Sequence, residues 1–296
     1  MRPIVVVVLL LCLLSPIGAA EIRLTTDGTN KRDPHYIKGG QEIMYSYDET
    51  RALIRLMVMD AKELKPRPMF EDANKHQLNA AMSPDGKYIA FNECTGNLTA
   101  HFVIRHRDPR KDAHVKHGGR GGYRSPVFSP DSKHVFYCFA ETGPQHIWRV
   151  TPDGKNKKQI TEGTGVNNWP SFTPEGKTLV FGSSRTNTYE IYKCDADGKN
   201  VKQLTHNKVM DIRPRVSPDG KRIVFTSVRD GNRELYMMDI EGKNVVRLTH
   251  HEERDDFATW HPDGKRIIYV GERRGRFDLY LLEVPTAPNP RAAKER

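Results

Sequence analysis

The chain is poor in residues that would announce a chemistry. It has four cysteines in 296 residues, and Cys12 sits inside the first apolar run. The other three, Cys94, Cys138 and Cys194, form no CxxC pair and no zinc-type spacing, which argues against a local thiolate metal site and a dense disulfide framework. There is no HExxH helix, no GxSxG nucleophile elbow, no phosphate-binding glycine loop and no carboxylate pair at a spacing tied to a known reaction. Beyond residue 20 no segment is apolar enough to span a bilayer. No helical period persists over a long window, so a helical repeat is excluded.

What the chain has is a phrase written five times: SPDGKYIAF from Ser83, SPDSKHVFY from Ser129, TPEGKTLVF from Thr173, SPDGKRIVF from Ser217 and HPDGKRIIY from His261. The prolines, Pro84, Pro130, Pro174, Pro218 and Pro262, are spaced by 46, 44, 44 and 44 residues. A fixed period of this size marks a repeat architecture. Within one unit IRPRVS, RIVFTS and ELYMMD read as strands, and NVVRLT as a fourth. Asp-Gly and Glu-Gly pairs between the β-branched runs are hairpin signals, because glycine accepts positive φ. Four antiparallel strands per period predict an all-β chain, a six-bladed β-propeller of four-stranded blades.

The sixth unit is concealed at the start. EIRLTTDGTNKRDPHYIKGGQEIMYSY from Glu21 aligns without a gap on VKQLTHNKVMDIRPRVSPDGKRIVFTS from Val201. Its PDG turn has become KGG. The last unit ends with DLYLLEV near Val284 and has no fourth strand of its own. Residues 21–25 are therefore expected to supply the outer strand of the last blade and close the ring, which removes open edges.

Three segments follow. Arg2, the apolar stretch Ile4 to Leu14 and the small residues Gly18, Ala19 and Ala20 predict a signal peptide over 1–20, cleaved near Ala20, and a periplasmic or secreted protein. Residues 21–285 are the propeller. The tail 286–296, PTAPNPRAAKER without its first residue, is expected to be disordered.

The formal net charge is +10, or +9 once Arg2 is removed. Charge speaks to partners rather than to fold. Outside the cytosol nucleic acid is not expected, and a protein or anionic polymer partner is. The repeated turn lysines, Lys87, Lys133, Lys177, Lys221 and Lys265, read first as solvated edge charges. A monomer is expected, with no membrane span and no cofactor.

The phrase SPDGKRIVFTSVRDGNRELYMMDIEGKNVVRLT, Ser217 to Thr249, and FTPEGKTLVFGSSRTNTYEIYKCDADGKNVKQLT, Phe172 to Thr205, resemble TolB-type propeller repeats, relatives of WD-type blades. The resemblance covers essentially the whole chain after residue 20. It implies a propeller in the periplasm that engages a partner. TolB itself sets a separate N-terminal domain before its propeller, and here the propeller starts almost at the expected cleavage site. Oligogalacturonate lyases, similar propellers with a histidine-bound metal, imply the alternative of a metal-dependent lyase or hydrolase on acidic polysaccharide.

Function is expected where the repeats differ. The loops between blades share one face, and the repeats place Lys31, Gln77, Tyr123, Asn167, Asp211 and Asp255 at equivalent positions in a ring at the channel mouth. With Arg124, Trp169 and Asp256 these are the candidate partner-binding residues, and no catalytic set is expected. Trp169 and Trp260 read as core, though Trp169, beside Asn167 and Asn168, could stack a sugar. His206, His250 and His251 are weak candidates for a divalent metal, but LTH recurs in consecutive units, so no metal is assigned. His101, His106, His114 and His117 form a second histidine group around a loop, Gly118 to Gly122, that could contact an anion with Tyr123 and Arg124. Arg185, Arg229 and Arg273 occupy one position in three units and read as inter-blade ion pairs or hydrogen bonds. Cys94 and Cys138 lie near strand ends of neighbouring units. One bridge is possible, with free thiols the favoured reading. Asn97-Leu98-Thr99 is a glycosylation sequon.

Overall fold

A computed structural model describes residues 21–50, 53–95, 100–118 and 122–285. The expected signal peptide, the tail, the sequon and the centre of the glycine loop lie outside the described residues. Strand β1 (Glu21–Arg23) stands apart from its neighbours in sequence. Blade 1 is β2 (Lys31–Ile37), β3 (Glu42–Thr50), β4 (Leu53–Asp60) and β5 (Pro66–Pro68). Blade 2 is β6 (His76–Met82), β7 (Tyr88–Cys94), β8 (Ala100–Arg107) and β9 (Arg110–Val115). Blade 3 is β10 (Arg124–Phe128), β11 (Val135–Phe139), β12 (His146–Val150) and β13 (Lys158–Gln159). Blade 4 is β14 (Asn167–Phe172), β15 (Thr178–Ser183), β16 (Glu190–Asp195) and β17 (Lys202–Gln203). Blade 5 is β18 (Asp211–Val216), β19 (Arg222–Ser227), β20 (Glu234–Asp239) and β21 (Val246–Arg247). Blade 6 is β22 (Asp255–Trp260), β23 (Arg266–Arg273) and β24 (Arg276–Glu283), completed by β1.

The closing strand behaves as expected. β1 is antiparallel to β24, with Glu21 opposite Leu282 and Arg23 opposite Tyr280. Asp278, almost fully buried, is the clasp: it accepts from Thr25 Oγ1 at 2.6 Å and Arg23 Nη2 at 2.5 Å. The same threonine position recurs in the other blades. Thr161, Thr205 and Thr249 each accept the N–H of a residue at the start of the third strand at 2.9 Å, and Thr205 also donates to Glu190 at 2.5 Å. The recurrent Leu-Thr is therefore a strand-end cap in every blade that has it.

The core lies between blades. One apolar cluster joins Phe136, Cys138 and Ile147 of blade 3 to Leu179, Phe181 and Tyr192 of blade 4. Another joins Ile43, Tyr45 and Met59 of blade 1 to Ile268, Val270 and Leu279 of blade 6, so the seam at the ring closure is packed like the rest. Sheet faces are apolar on both sides because each faces a neighbour, which is why the second and third strands read as continuous apolar runs.

The repeated phrase builds the turns at one end. In the first copy the Ser83 hydroxyl donates to Asp85 at 2.7 Å and accepts the Tyr88 N–H at 2.9 Å, and Gly86 takes φ 72°. The turn glycines also make room for the preceding blade: a Cβ on Gly176 would lie 3.3 Å from Pro130, and one on Gly220 3.1 Å from Pro174. Proline of one turn thus nests on glycine of the next, and the turns form a collar around the axis.

Candidate functional site

The six inner strands line the central channel, and each contains the same irregularity. The ladder with the second strand shifts register between Arg32 and His35, Leu78 and Ala81, Arg124 and Val127, Asn168 and Ser171, Ile212 and Arg215, and Asp256 and Thr259. At each shift one residue adopts positive φ: Asp33, Asn79, Ser125, Trp169, Arg213 and Phe257, between 49° and 58°. None is glycine, although this backbone region favours it. A six-fold ring of β-bulges therefore sits at the inter-blade-loop end of the channel. The signal for it in the sequence was the proline that follows four of these residues, Pro34, Pro126, Pro170 and Pro214, because proline inside a paired strand marks a bulge.

The bulge ring is largely self-neutralised. Arg213 pairs with Asp256 at 3.2 Å, and Arg233 reaches the same carboxylate at 3.0 Å. The Arg213 guanidinium lies 4.1 Å from the Phe257 ring centroid and 5.3 Å from that of Trp169, a cation held between two aromatic faces. Asn79 donates to Asp33 at 2.7 Å and Ser125 to Asn168 at 3.3 Å.

Two residues earlier lies the ring expected from the repeats, and the structure corrects its exposure. Lys31, Gln77, Tyr123, Asn167, Asp211 and Asp255 are all buried. They form the seams between blades rather than an open mouth. The N–H groups of Asn167, Asp211 and Asp255 each donate at 2.8 Å to a carbonyl of the preceding blade, those of Gln145, Tyr189 and Arg233. Lys31 donates to Asp27 at 2.7 Å and to the Asp278 clasp at 3.4 Å. The Tyr123 hydroxyl donates to the Val115 carbonyl at 2.8 Å, and its ring stacks on Phe102. Gln77 is packed in the blade 2 seam. Apart from Gln77, whose Oε1 has no hydrogen-bond partner among the described residues, these positions vary because each is matched to a different internal partner. Of the remaining expected residues, Asp256 is buried in the Arg213 and Arg233 pairs, Trp169 is half-buried in the bulge ring against Tyr189, and Arg124 is exposed.

Some of those partners are the recurrent arginines. Arg229 Nη2 reaches Asp211 at 2.9 Å, Arg273 Nη1 reaches Asp255 at 2.7 Å, and Arg185 Nη2 reaches Asn167 at 3.0 Å. The pairing runs between the first and second strands of one blade, so the expected inter-blade location is corrected to an intra-blade one. Burial pushes the Asp255 carboxyl up to about 7, against the lowering influence of Arg273. Its Oδ2 has no hydrogen-bond partner.

The histidines do not assemble. Among the described residues no three His, Cys, Asp or Glu side chains converge as a metal would require. His206 and His250 are exposed at different blade junctions, and His251 Nδ1 accepts the Glu253 N–H at 3.0 Å. His101 and His114 meet edge to face, His106 contacts the Pro109 carbonyl at 3.1 Å, and His117 is enclosed by Phe139, Tyr123 and Trp148. Burial lowers His117 to about 4. The three cysteines Cys94, Cys138 and Cys194 are free thiols, and burial pushes Cys138 and Cys194 up to about 12.

A cavity opens at the other end of the channel, inside the collar of repeated turns. It has a volume of about 530 Å³ and includes the prolines Pro84, Pro130, Pro174, Pro218 and Pro262 in its wall. None of the six bulge residues lines it. At its depth stand His35, Ser171, Arg215 and Thr259, equivalent positions on four inner strands. Arg215 makes no salt bridge among the described residues, and its one side-chain hydrogen bond is a long one, 3.5 Å to the Pro170 carbonyl. Burial lowers its pKa, and burial holds His35 at about 3, so His35 is neutral. Trp260, in the cavity wall, donates its indole N–H to the Arg215 carbonyl at 2.9 Å. A half-buried guanidinium in a largely apolar chamber attracts an anion. Sequence reasoning missed this chamber because it discounted the face carrying the constant turns.

Comparison with known proteins agrees with this architecture. Residues 189–287 match the model of the tricorn protease N-terminal beta propeller domain. A putative TolB from Agrobacterium tumefaciens superposes with TM-score 0.67 at 20% identity, over 87% of this chain and 91% of that one. TolB from Acinetobacter baumannii gives 0.68 at 24% identity, over 83% of this chain and 65% of its own length. An oligogalacturonate lyase in complex with manganese gives 0.62 at 16% identity, over 91% of this chain and 94% of that one. These likenesses establish the fold alone. No match was found among curated protein sequences. The TolB beta propeller domain model matches residues 47–216, more than half of the chain, and the protein belongs to that family.

Proposed function

We propose that this is an exported, non-catalytic propeller of the periplasm that captures an extended anionic ligand, an acidic protein segment or polymer, in the chamber inside the turn collar. The observation that carries the reading is Arg215, a guanidinium that faces a largely apolar chamber and forms no salt bridge among the described residues. Ser171 and Thr259 add hydroxyl donors on either side, and neutral His35 adds another polar contact. A carboxylate placed there would gain a charge-assisted pair shielded from water. Arg124 and Trp169 remain as contacts for a partner at the opposite face. The alternative, a metal-dependent lyase on acidic sugars, has the same cationic chamber in its favour, but the described residues offer a metal no donor set.

Trp260 provides the readout. Titration with a hexaglutamate peptide and with trigalacturonate should change its fluorescence saturably for at least one of them. Arg215→Gln should weaken that binding at least about tenfold, the order expected for one hydrogen bond to a charged group. An unchanged affinity in the variant would remove the chamber from the proposal. Formation of an unsaturated uronate product would overturn the non-catalytic reading.

A further inference from the structure

A second cationic site lies away from the channel, between blades 1 and 2. It is a groove of about 230 Å³ on the same face as the collar. Its walls carry Lys38, Arg67, Arg105, Arg107 and Arg110, with Glu42 as the one acidic lining residue. The hairpin that supplies Arg107 and Arg110 joins β8 to β9, and β9 is six residues long where the outer strands of blades 3, 4 and 5 have two. This blade is extended where the groove is formed.

The internal pairing leaves the groove positive. Glu42 is shared by Lys38 at 3.1 Å and Arg67 at 2.9 Å. Asp112 holds Arg105 through Nε and Nη2, both at 2.7 Å, and Asp72 holds Arg110 at 2.9 Å. Arg107 forms no salt bridge among the described residues; it donates to the Gly86 carbonyl at 3.0 Å. Five cations thus stand against three carboxylates. The floor is fixed by Phe70, with the Arg105 guanidinium 4.5 Å from its ring centroid and that of Arg110 5.8 Å away. Arg105 is 4% exposed, and its Nη1 has no hydrogen-bond partner among the described residues. A buried, unsatisfied donor on a guanidinium is costly unless a ligand completes it.

The equivalent position elsewhere shows the contrast. Ile89 pairs with Arg105, and the matching pairs are Leu179 with Cys194 in blade 4 and Ile223 with Met238 in blade 5. Cys194 and Met238 are packed in apolar seams with the preceding blade. Blade 2 therefore sets a guanidinium where the other two blades bury an uncharged side chain.

We infer that this groove is a binding site for a tetrahedral oxyanion, a phosphate or sulfate group, held by Arg105, Arg107 and Arg110. Several guanidiniums converging from different directions suit an anion with three or four oxygens better than a planar carboxylate, which two would satisfy. The group could arrive as a soluble phosphate ester or as a lipid headgroup. The chemistry of recognition is the same.

Isothermal titration of the full chain with inorganic phosphate, sulfate and acetate tests it. Saturable binding of phosphate or sulfate, tighter than acetate, is expected, with at least a tenfold loss in the double variant Arg107→Glu, Arg110→Glu. Both positions are exposed, so the fold should survive, and a melting curve checks that. A milder Arg107→Gln should lose less. Repeating the titrations in the Arg215→Gln background removes the channel's own cation, so that the loss in the double variant reports on the groove alone. Absence of saturable binding, or binding unchanged in the double variant, would overturn the site. Co-sedimentation with phosphatidylglycerol vesicles, lost in the double variant, would assign the headgroup as source; phosphate binding without co-sedimentation would assign a soluble ester.

Discussion

The two ends of the channel are made by the same six strands and differ in how their charges are resolved. At the bulge end every strand meets an internal partner: Lys31 with Asp278, Asp211 with Arg229, Asp255 with Arg273, and Arg213 with Asp256. At the collar end Arg215 faces a chamber with no carboxylate. The first end spends its polar groups on holding blades together. The second leaves a charge available. Sequence variability marks both, so variability alone does not identify a binding surface. What distinguishes them is whether the variation is answered inside the chain.

The contrast can be broken most severely at Asp278. Asp278→Ala strips the clasp of Thr25 and Arg23 and leaves buried Lys31 with Asp27 as its carboxylate partner. A loss of roughly 3–5 kcal/mol is expected, as for breaking one side of a buried pair, read as the urea midpoint. A loss below about 1 kcal/mol would mean that the bulge end is not a stability element.

Asp255 sharpens the contrast through pH. Its carboxyl is raised from 3.8 to about 7 in the folded chain. Between those values the native state holds a proton that the unfolded chain has released. Stability contributed by this group is therefore greatest below pH 3.8 and falls as pH rises toward 7, by at most about 1.4 kcal/mol per pH unit. Urea denaturation of Asp255→Asn at several pH values should show a flatter profile than the parent across that window. Parallel profiles would contradict the burial argument.

The smallest stability effect is expected at the collar end. Arg215→Gln should change the unfolding free energy by no more than about 0.5 kcal/mol, because no ion pair is lost. The same substitution removes the chamber's charge. A large destabilisation would place Arg215 among the scaffold residues and erase the distinction between the ends.

The fold was legible because turn chemistry repeats: Gly86 and Gly220 need positive φ, and their spacing counts the blades. Ring closure was legible from the missing fourth strand after DLYLLEV. The bulge ring was less so, since the residues in the left-handed region are as different as Ser125 and Phe257, and only the recurrent prolines betray it. The seam residues looked like a surface because sequence gives a position but not its partner. Asp211 and Arg229 are 18 residues apart and meet only once the hairpin forms. The Arg105 groove was illegible for the same reason, as Phe70 and Arg110 come from different blades.

The pairing of β1 with β24 has a consequence for how the chain is made. Glu21 and Leu282 are partners at opposite ends of the described residues. The first of the described strands therefore has no mate until the last of them exists. Five blades can pair locally as they emerge, but the sixth stays one strand short until the whole chain is available. In that interval both β24 and β1 present unpaired backbone, the condition that invites association with other chains. Those two edges need protection from other chains until β24 has emerged and β1 has paired with it.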